Sequence, residues 1–388
     1  MATQAPDDHA ADAPGQAACG VLPGQVVFVL QGGGALGAYQ AGVYEALHEA
    51  QVEPEWVIGT SIGAINGAII AGNPHGQRIE RLKCFWEQVA YRGSATAGWL
   101  PFLDDWLRNM SIMTRGIPAF FSPRPSALLG LHEPGGMWPA ALYSTQPLRE
   151  TLLSLIDFAY LNNQQTRLTV GAVSVGSGRM RYFTNRDAPL DVDHVMASAA
   201  FPPGFPSVRL EGETWWDGGI YSNTPLEAVL DDHPRRDSVI FAVQLWPAHG
   251  PEPKSVWQAM SRQRDIQYSS RAESHLERQK QIHRLRHVIR ELEQYIPAEQ
   301  RDGAEVRELL GWGCGTTMQV IELDAPRLAG DDLHKDIDFS ASGIQRRWQA
   351  GYENTVRMLE KAPWREPPDP MEGIAVYRSD PEADTAAR

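Results

Sequence analysis

The pentapeptide Gly59-Thr60-Ser61-Ile62-Gly63 constrains this chain of 388 residues more than any other stretch. It follows the short apolar run Trp56 to Ile58 and leads into residues 64–71, which are small, apolar and helix-compatible. A serine between two glycines at a strand-to-helix junction has the pattern of a nucleophile elbow. There the backbone is strained and neighbouring chain passes close, so side chains at Gly59 and Gly63 would clash while the serine is held out at the tip. Amides and dipole at the start of the following helix favour negative charge beside Ser61. As a bare string the pattern is also compatible with a plain tight turn, and it is the flanking strand and helix that favour a nucleophile.

A second glycine cluster lies upstream. Val26 to Leu30 is a continuous β-branched and apolar run, as expected of a strand buried on both faces. It ends in Gly32-Gly33-Gly34-Ala35-Leu36-Gly37, and from Ala38 to Ala50 the apolar residues recur at helical spacing. Such a loop presents backbone N–H donors, which in an acyl hydrolase would face the oxyanion of a tetrahedral intermediate. The same string fits the dinucleotide pattern GxGxxG, which calls for an acidic residue at the end of the second strand. Here Glu53 and Glu55 precede that strand and its end is Gly59-Thr60-Ser61, which disfavours a nucleotide. A third feature is Trp216-Asp217-Gly218-Gly219, an acid on a glycine turn soon after Pro202-Pro203-Gly204-Phe205-Pro206; on its own it is an ordinary turn signal.

Taken in this order, the three pieces resemble the patatin-like phospholipase family, as do Gly63-Ala64-Ile65-Asn66-Gly67 and Ala197-Ser198-Ala199-Ala200-Phe201-Pro202. The resemblance runs from about Val26 to Leu245. It implies a three-layer α/β/α fold with a largely parallel central sheet, and a Ser-Asp dyad that works without histidine. By the same resemblance Ser61 is the expected nucleophile, Asp217 the base, and Gly32, Gly33, Gly34 and Gly37 the oxyanion loop, with Gly33 and Gly34 supplying the amides. Gly59 and Gly63 shape the elbow, and Gly218 and Gly219 complete the DGG motif. Leu36 departs from the family, many of whose members carry Arg or Lys there; since oxyanion donors are backbone groups, this is expected to alter packing or charge preference and not chemistry.

Further strands are expected at residues 168–175, Met180 to Thr184 and 239–245, giving an acyl hydrolase domain over 25–250. Residues 98–147, dense in Trp, Phe, Met, Pro and Gly without a clear period, read as an insertion near the site mouth or a substrate-facing lid. Residues 251–360 read as a mainly helical C-terminal extension, similar to that of a bacterial subgroup of the family. Within it Ile282, Leu285, Ile289, Leu292 and Ile296 form a heptad stripe, expected to pack on its own domain and also compatible with a homodimer. Residues 1–24 and 361–388 read as disordered tails.

The formal charge of -13 excludes a general nucleic-acid binder. Three widely spaced cysteines, Cys19, Cys84 and Cys314, build neither a disulfide framework nor a CxxC motif, so a reducing, cytoplasmic setting fits best. The early residues lack the charge and apolar core of a secretory signal, and no apolar run is long enough to span a bilayer, so lipid contact would be peripheral. The expected partner is a lipid or acyl ester, and no metal or cofactor spacing is present.

Two rival readings remain at this stage. One is an α/β-hydrolase triad, but Ser61 follows only the second strand and neither His194 nor His249 has a distinctive setting. The other is a non-catalytic regulator acting through Arg262, Arg264, Arg271, Arg278, Arg284, Arg286 and Arg290, a run that is more ordinarily a solvated face.

Overall fold

Alternation along β1 (Gln25–Leu30) sets the layers of the molecule. Val26, Phe28 and Leu30 point into a large apolar core on one face of a sheet, Val27 and Val29 into a smaller one on the other. Both faces are therefore covered, and all five residues are buried. The protein is seen in a computed structural model that describes residues 22–91, 111–124 except 113, 140–328 except 164, and 331–379 except 332, 367 and 370, with backbone alone at 270–272.

β1 is flanked by β2 (Trp56–Gly59) and β9 (Ser238–Gln244), both parallel to it. The sheet extends through β5 (Arg167–Ser174) on one side and through β10 (Met318–Asp324) and β11 (Ile374–Arg378) on the other, again in parallel. Three antiparallel strands finish the β5 side: β6 (Met180–Thr184), β7 (Val208–Leu210) and β8 (Glu213–Asp217). A separate two-stranded ribbon joins β3 (Ser122–Pro123) to β4 (Tyr143–Ser144). The architecture is thus mixed α/β with a mostly parallel central sheet and helices around it, as the sequence leads one to expect.

The larger core is roofed by α1 (Ala38–Glu49), α2 (Ile62–Ala71), α3 (Arg78–Gln88) and α4 (Gln146–Leu155). On the other face lie part of α5 (Val256–Leu292) and the turn of helix Glu227–Leu230. α6 (Ala341–Lys361) crosses α1 at close range. A Cβ on Gly42 would fall 1.8 Å from the Trp348 carbonyl oxygen, and one on Gly351 2.1 Å from that of Tyr39, so two glycines set the crossing distance.

Three expectations need correction. The C-terminal region is mainly helical over 251–360, as expected, but it is no appendage, because β10 and β11 extend the domain's own sheet. The segment after Lys361 is not wholly disordered: Trp364 is buried edge-on against Phe241 and β11 pairs with β10, while residues 380–388 lie outside the described ones. The heptad stripe is not the most buried side either: Ile282, Ile289 and Ile296 are half-buried, with Ile289 packed on Gly313. The buried side of α5 carries Ser261, Asp265, Ser269, Leu276, Gln279, His283 and His287, whereas Leu285 and Leu292 are 63% and 54% exposed. Polar bonds hold that side, among them Gln279 to Asp231 and His287 to the Thr316 carbonyl. Most of the expected N-terminal tail, and residues 98–110 and 125–139 of the expected insertion, fall outside the described residues.

Candidate active site

Ser61 sits between β2 and α2 with φ 57° and ψ -125°, a left-handed conformation that costs energy for any residue with a side chain. Its neighbours allow it. A Cβ on Gly59 would come 2.3 Å from the Gly63 carbonyl oxygen, and one on Gly63 2.1 Å from that of Leu30. The Ser61 amide donates to the Ser198 carbonyl at 3.1 Å, and the Ser198 hydroxyl bonds the Gly171 carbonyl at 2.7 Å. The turn is thereby pinned to β5 and to the short helix Val192–Ser198.

Sheet geometry carries Asp217 to the same place. β2 pairs with the first half of β5, residues 167–170, and β8 pairs with Ala172 to Ser174. Since β6 occupies the other edge of β5, β8 lies in line beyond the carboxyl end of β2 and ends beside Ser61 at Asp217. Asp217 is fully buried; its Oδ1 accepts the Gly219 amide at 2.7 Å, while Oδ2 accepts no hydrogen bond from the described residues. Burial pushes its pKa up to about 7, against a smaller lowering by the Ser61 hydroxyl and the Gly219 amide. The hydroxyl is thus within electrostatic reach of a carboxylate that still has a free lone pair. A Cβ on Gly218 would meet the Gly171 carbonyl oxygen at 2.5 Å, and one on Gly219 the Asn223 amide oxygen at 2.7 Å, so both glycines are needed for the turn.

The glycine loop divides into parts with different duties. Gly33 and Gly34 line the cavity above Ser61, and their amides are not engaged by any other group of the described chain. Gly34 has φ +56°, and a Cβ there would lie 2.3 Å from the Asp336 carbonyl oxygen. Gly32 belongs to the loop but not to its free donors: its amide already donates to the Asn223 carbonyl at 3.1 Å, so it cannot serve an oxyanion without breaking that bond. Gly37, unlike Gly32, is not among the residues that line the cavity; it packs against Ile62, where a Cβ would come within 2.5 Å. Leu36 is buried beside Lys335 and Arg347, so cations from the C-terminal region stand near a position where this chain carries none of its own.

Several groups that hold the site escaped the sequence reading. Asn223 bonds the Gly32 carbonyl through Nδ2 at 2.9 Å, tying the glycine loop to the turn after Asp217. Trp246 Nε1 donates to the same carbonyl at 2.8 Å. Gln31, fully buried, donates to Thr224 and accepts the Leu245 and Trp246 amides. Each joins segments about 190 to 215 residues apart, a link for which linear spacing offers no signal. The nearest sequence cue is Ser222-Asn223-Thr224-Pro225 directly after the DGG turn.

Above the two side chains opens a cavity of about 340 Å³. Its walls are apolar, with Ile65, Phe120, Phe121, Leu142 and Phe205 among them, and Arg264 and Asp336 form an ion pair at one side. Ile112, Phe120, Phe121, Leu142 and Tyr143 come from the segment expected to be an insertion near the mouth. Among the described residues no histidine lines the cavity; His194 instead caps its own helix on Asp191. Of the arginine run, Arg262 is spent on the Pro247 and Ala248 carbonyls and Arg264 on Asp336.

A family profile described as patatin-like phospholipase matches residues 28–230, just over half of the chain. The chain belongs to the patatin-like phospholipase family. A second profile, described as patatin phospholipase, matches residues 266–371, so family likeness extends into the region that supplies β10 and α6. A patatin-like phospholipase domain-containing protein of Caenorhabditis elegans is 42% identical over 67 residues, which is 17% of this chain and only 6% of that protein's length. Among solved structures, VipD from Legionella pneumophila is 14% identical with a TM-score of 0.38, over 87% of this chain and 67% of VipD. Full-length ExoU in complex with SpcU, from the type III secretion system of Pseudomonas aeruginosa, gives 16% identity and a TM-score of 0.30 over 88% and 54% of the respective chains. These two likenesses are too loose to say more.

Proposed function

We propose that this patatin-like phospholipase family member is a serine lipid acyl hydrolase in which Ser61 is the nucleophile and Asp217 the general base. The observation that carries the reading is a fully buried carboxylate with one unbonded oxygen, set beside a strained serine at the floor of an apolar cavity. In the first half-reaction the Ser61 proton passes to Asp217 as Oγ bonds to the ester carbonyl carbon. The carbonyl electron pair moves onto oxygen, where the Gly33 and Gly34 amides receive it. Collapse breaks the ester bond, and the departing alkoxide takes the proton from Asp217. Water then repeats the sequence on the acyl-serine and frees the fatty acid.

A carboxylate with an ordinary pKa near 3.9 is a poor base at neutral pH, and burial corrects this. With a pKa of about 7, Asp217 has far more affinity for the serine proton yet is still ionised in a large share of molecules at pH 7. The apolar walls suit an acyl chain, which supports a lipid in preference to a small polar ester. A fatty-acyl ester assay tests this. Ser61→Ala and Asp217→Asn should each lower turnover on the order of a thousandfold or more with the fold retained by circular dichroism; normal turnover in either variant would end the proposal.

A further inference from the structure

A fatty-acyl ester is held in a membrane or micelle, and an enzyme with a cavity like this one must receive it from there. Next to residues that line the cavity, large apolar side chains are exposed on two separate segments. On the first two turns of α5 these are Val256, Trp257 and Met260, which are 75%, 63% and 43% exposed. Arg264, one turn further on, already lines the cavity, and the Trp257 ring lies 6.5 Å from that of His334, two residues before the cavity's Asp336. The other segment is the turn after Asp217, where Ile220 and Tyr221 follow the cavity-lining Gly219. Exposed apolar groups on two segments that each adjoin the cavity lining are an unusual use of surface unless something apolar covers them.

From this arrangement we infer that Val256, Trp257 and Met260, with Ile220 and Tyr221, form the face by which the protein seats on a zwitterionic lipid bilayer, so that the cavity opens toward the acyl chains. The inference rests on the hydrolase reading for its purpose, and on the exposed side chains for its place. Charge speaks for the type of surface. The chain carries -13 overall, and near the patch Glu252 offsets Lys254 while Arg262 donates to the Pro247 and Ala248 carbonyls. Contact is therefore made by apolar insertion and not by attraction to anionic lipid. A second apolar face, Leu285 and Leu292 near the far end of α5, lies some twenty-five residues along the helix from Met260 and provides an internal control.

The experiment is co-sedimentation of the full chain with phosphatidylcholine vesicles. Wild type should bind, and added phosphatidylserine should not tighten binding. The double variant Trp257→Ser, Met260→Ser should bind about tenfold more weakly or worse, a loss expected for removing two large apolar contacts. It should keep its rate on a water-soluble short-chain ester, since neither residue lines the cavity. The Leu285→Ser, Leu292→Ser variant should bind vesicles as wild type does. The inference is overturned if wild type ignores the vesicles, or if the first variant binds normally. Loss of binding only in the second variant would overturn it too, as would gel filtration showing a wild-type dimer that Trp257→Ser, Met260→Ser dissolves. Vesicle binding without Ser61-dependent ester hydrolysis would sink the hydrolase reading and leave this surface standing.

Discussion

Asp217 carries a conflict between stability and function that can be measured. Its carboxyl titrates near 7 in the folded chain because burial disfavours the charged form, and near 3.9 in the unfolded chain. Between those values the folded state holds a proton that the unfolded state has released. Stability therefore falls as pH rises from about 4 to about 7, and above 7 the full penalty is present. Asp217→Asn removes the charge and retains an oxygen to accept the Gly219 amide. In urea unfolding the variant should exceed wild type by about 4 kcal/mol at pH 8, with the difference nearly gone by pH 4; a variant less stable than wild type at pH 8 would contradict the burial argument. The elbow glycines act in the opposite sense. Gly63→Ala places a methyl group 2.1 Å from the Leu30 carbonyl oxygen, so it should cost several kcal/mol or leave the protein insoluble. A soluble variant with the wild-type melting temperature would show that the turn has room. At this scale the main motifs were legible in the chain because each depends on local backbone geometry. Asn223, Gln31 and Trp246 were not, because they act only through contacts that folding creates.

Among the elements, α5 shows most clearly how a sequence pattern can mislead. Its apolar heptad stripe suggested the buried side, yet the stripe is only half-buried or exposed and the domain holds a mainly polar side that includes Leu276. Periodicity reports that one face differs from the rest; it does not report what the facing surface offers. Here that surface offers ions. Lys335 meets the fully buried Asp265 at 2.5 Å and Arg327 reaches it at 3.1 Å, and the same segment lays the Asp336 carbonyl against Gly34 of the glycine loop. Lys335→Met would leave Asp265 with half its partners, at a cost of about 3 kcal/mol. The glycine loop should loosen as well, so turnover should drop more than substrate binding weakens; an unchanged turnover number would detach this clasp from the site. At the crossing of α1 and α6, Gly42→Ala adds a methyl group 1.8 Å from a carbonyl oxygen. It should lower the melting temperature by several degrees in scanning calorimetry, and no change there would refute the close packing.

Seen as a whole molecule, the N-terminal half, which holds the candidate site, and the C-terminal half share one sheet, and this was the part of the fold least legible in advance. β10 reads Met318-Gln319-Val320-Ile321-Glu322-Leu323-Asp324, a strand with buried polar residues, and it follows some sixty residues of polar, helix-forming chain. β11 is five residues long and lies in a Pro-rich stretch. Neither carries the uninterrupted apolar run that made β1 and β9 readable. Removing the chain after residue 316 would expose the edge of β9 and strip Met318, Val320 and Ile374 from the smaller core. Such a truncation should accumulate as aggregate, with no monomer peak on gel filtration. The account as a whole depends on Ser61 being activated by a buried carboxylate that titrates near neutrality. The most direct measurement is the rate at which a fluorophosphonate labels the protein as a function of pH, with the labelled residue found by mass spectrometry. The predicted result is a single adduct on Ser61, forming at a rate that rises with pH through about 7 in wild type and is nearly absent in Asp217→Asn. Labelling elsewhere, or Ser61 labelling that Asp217→Asn leaves unchanged, would contradict it.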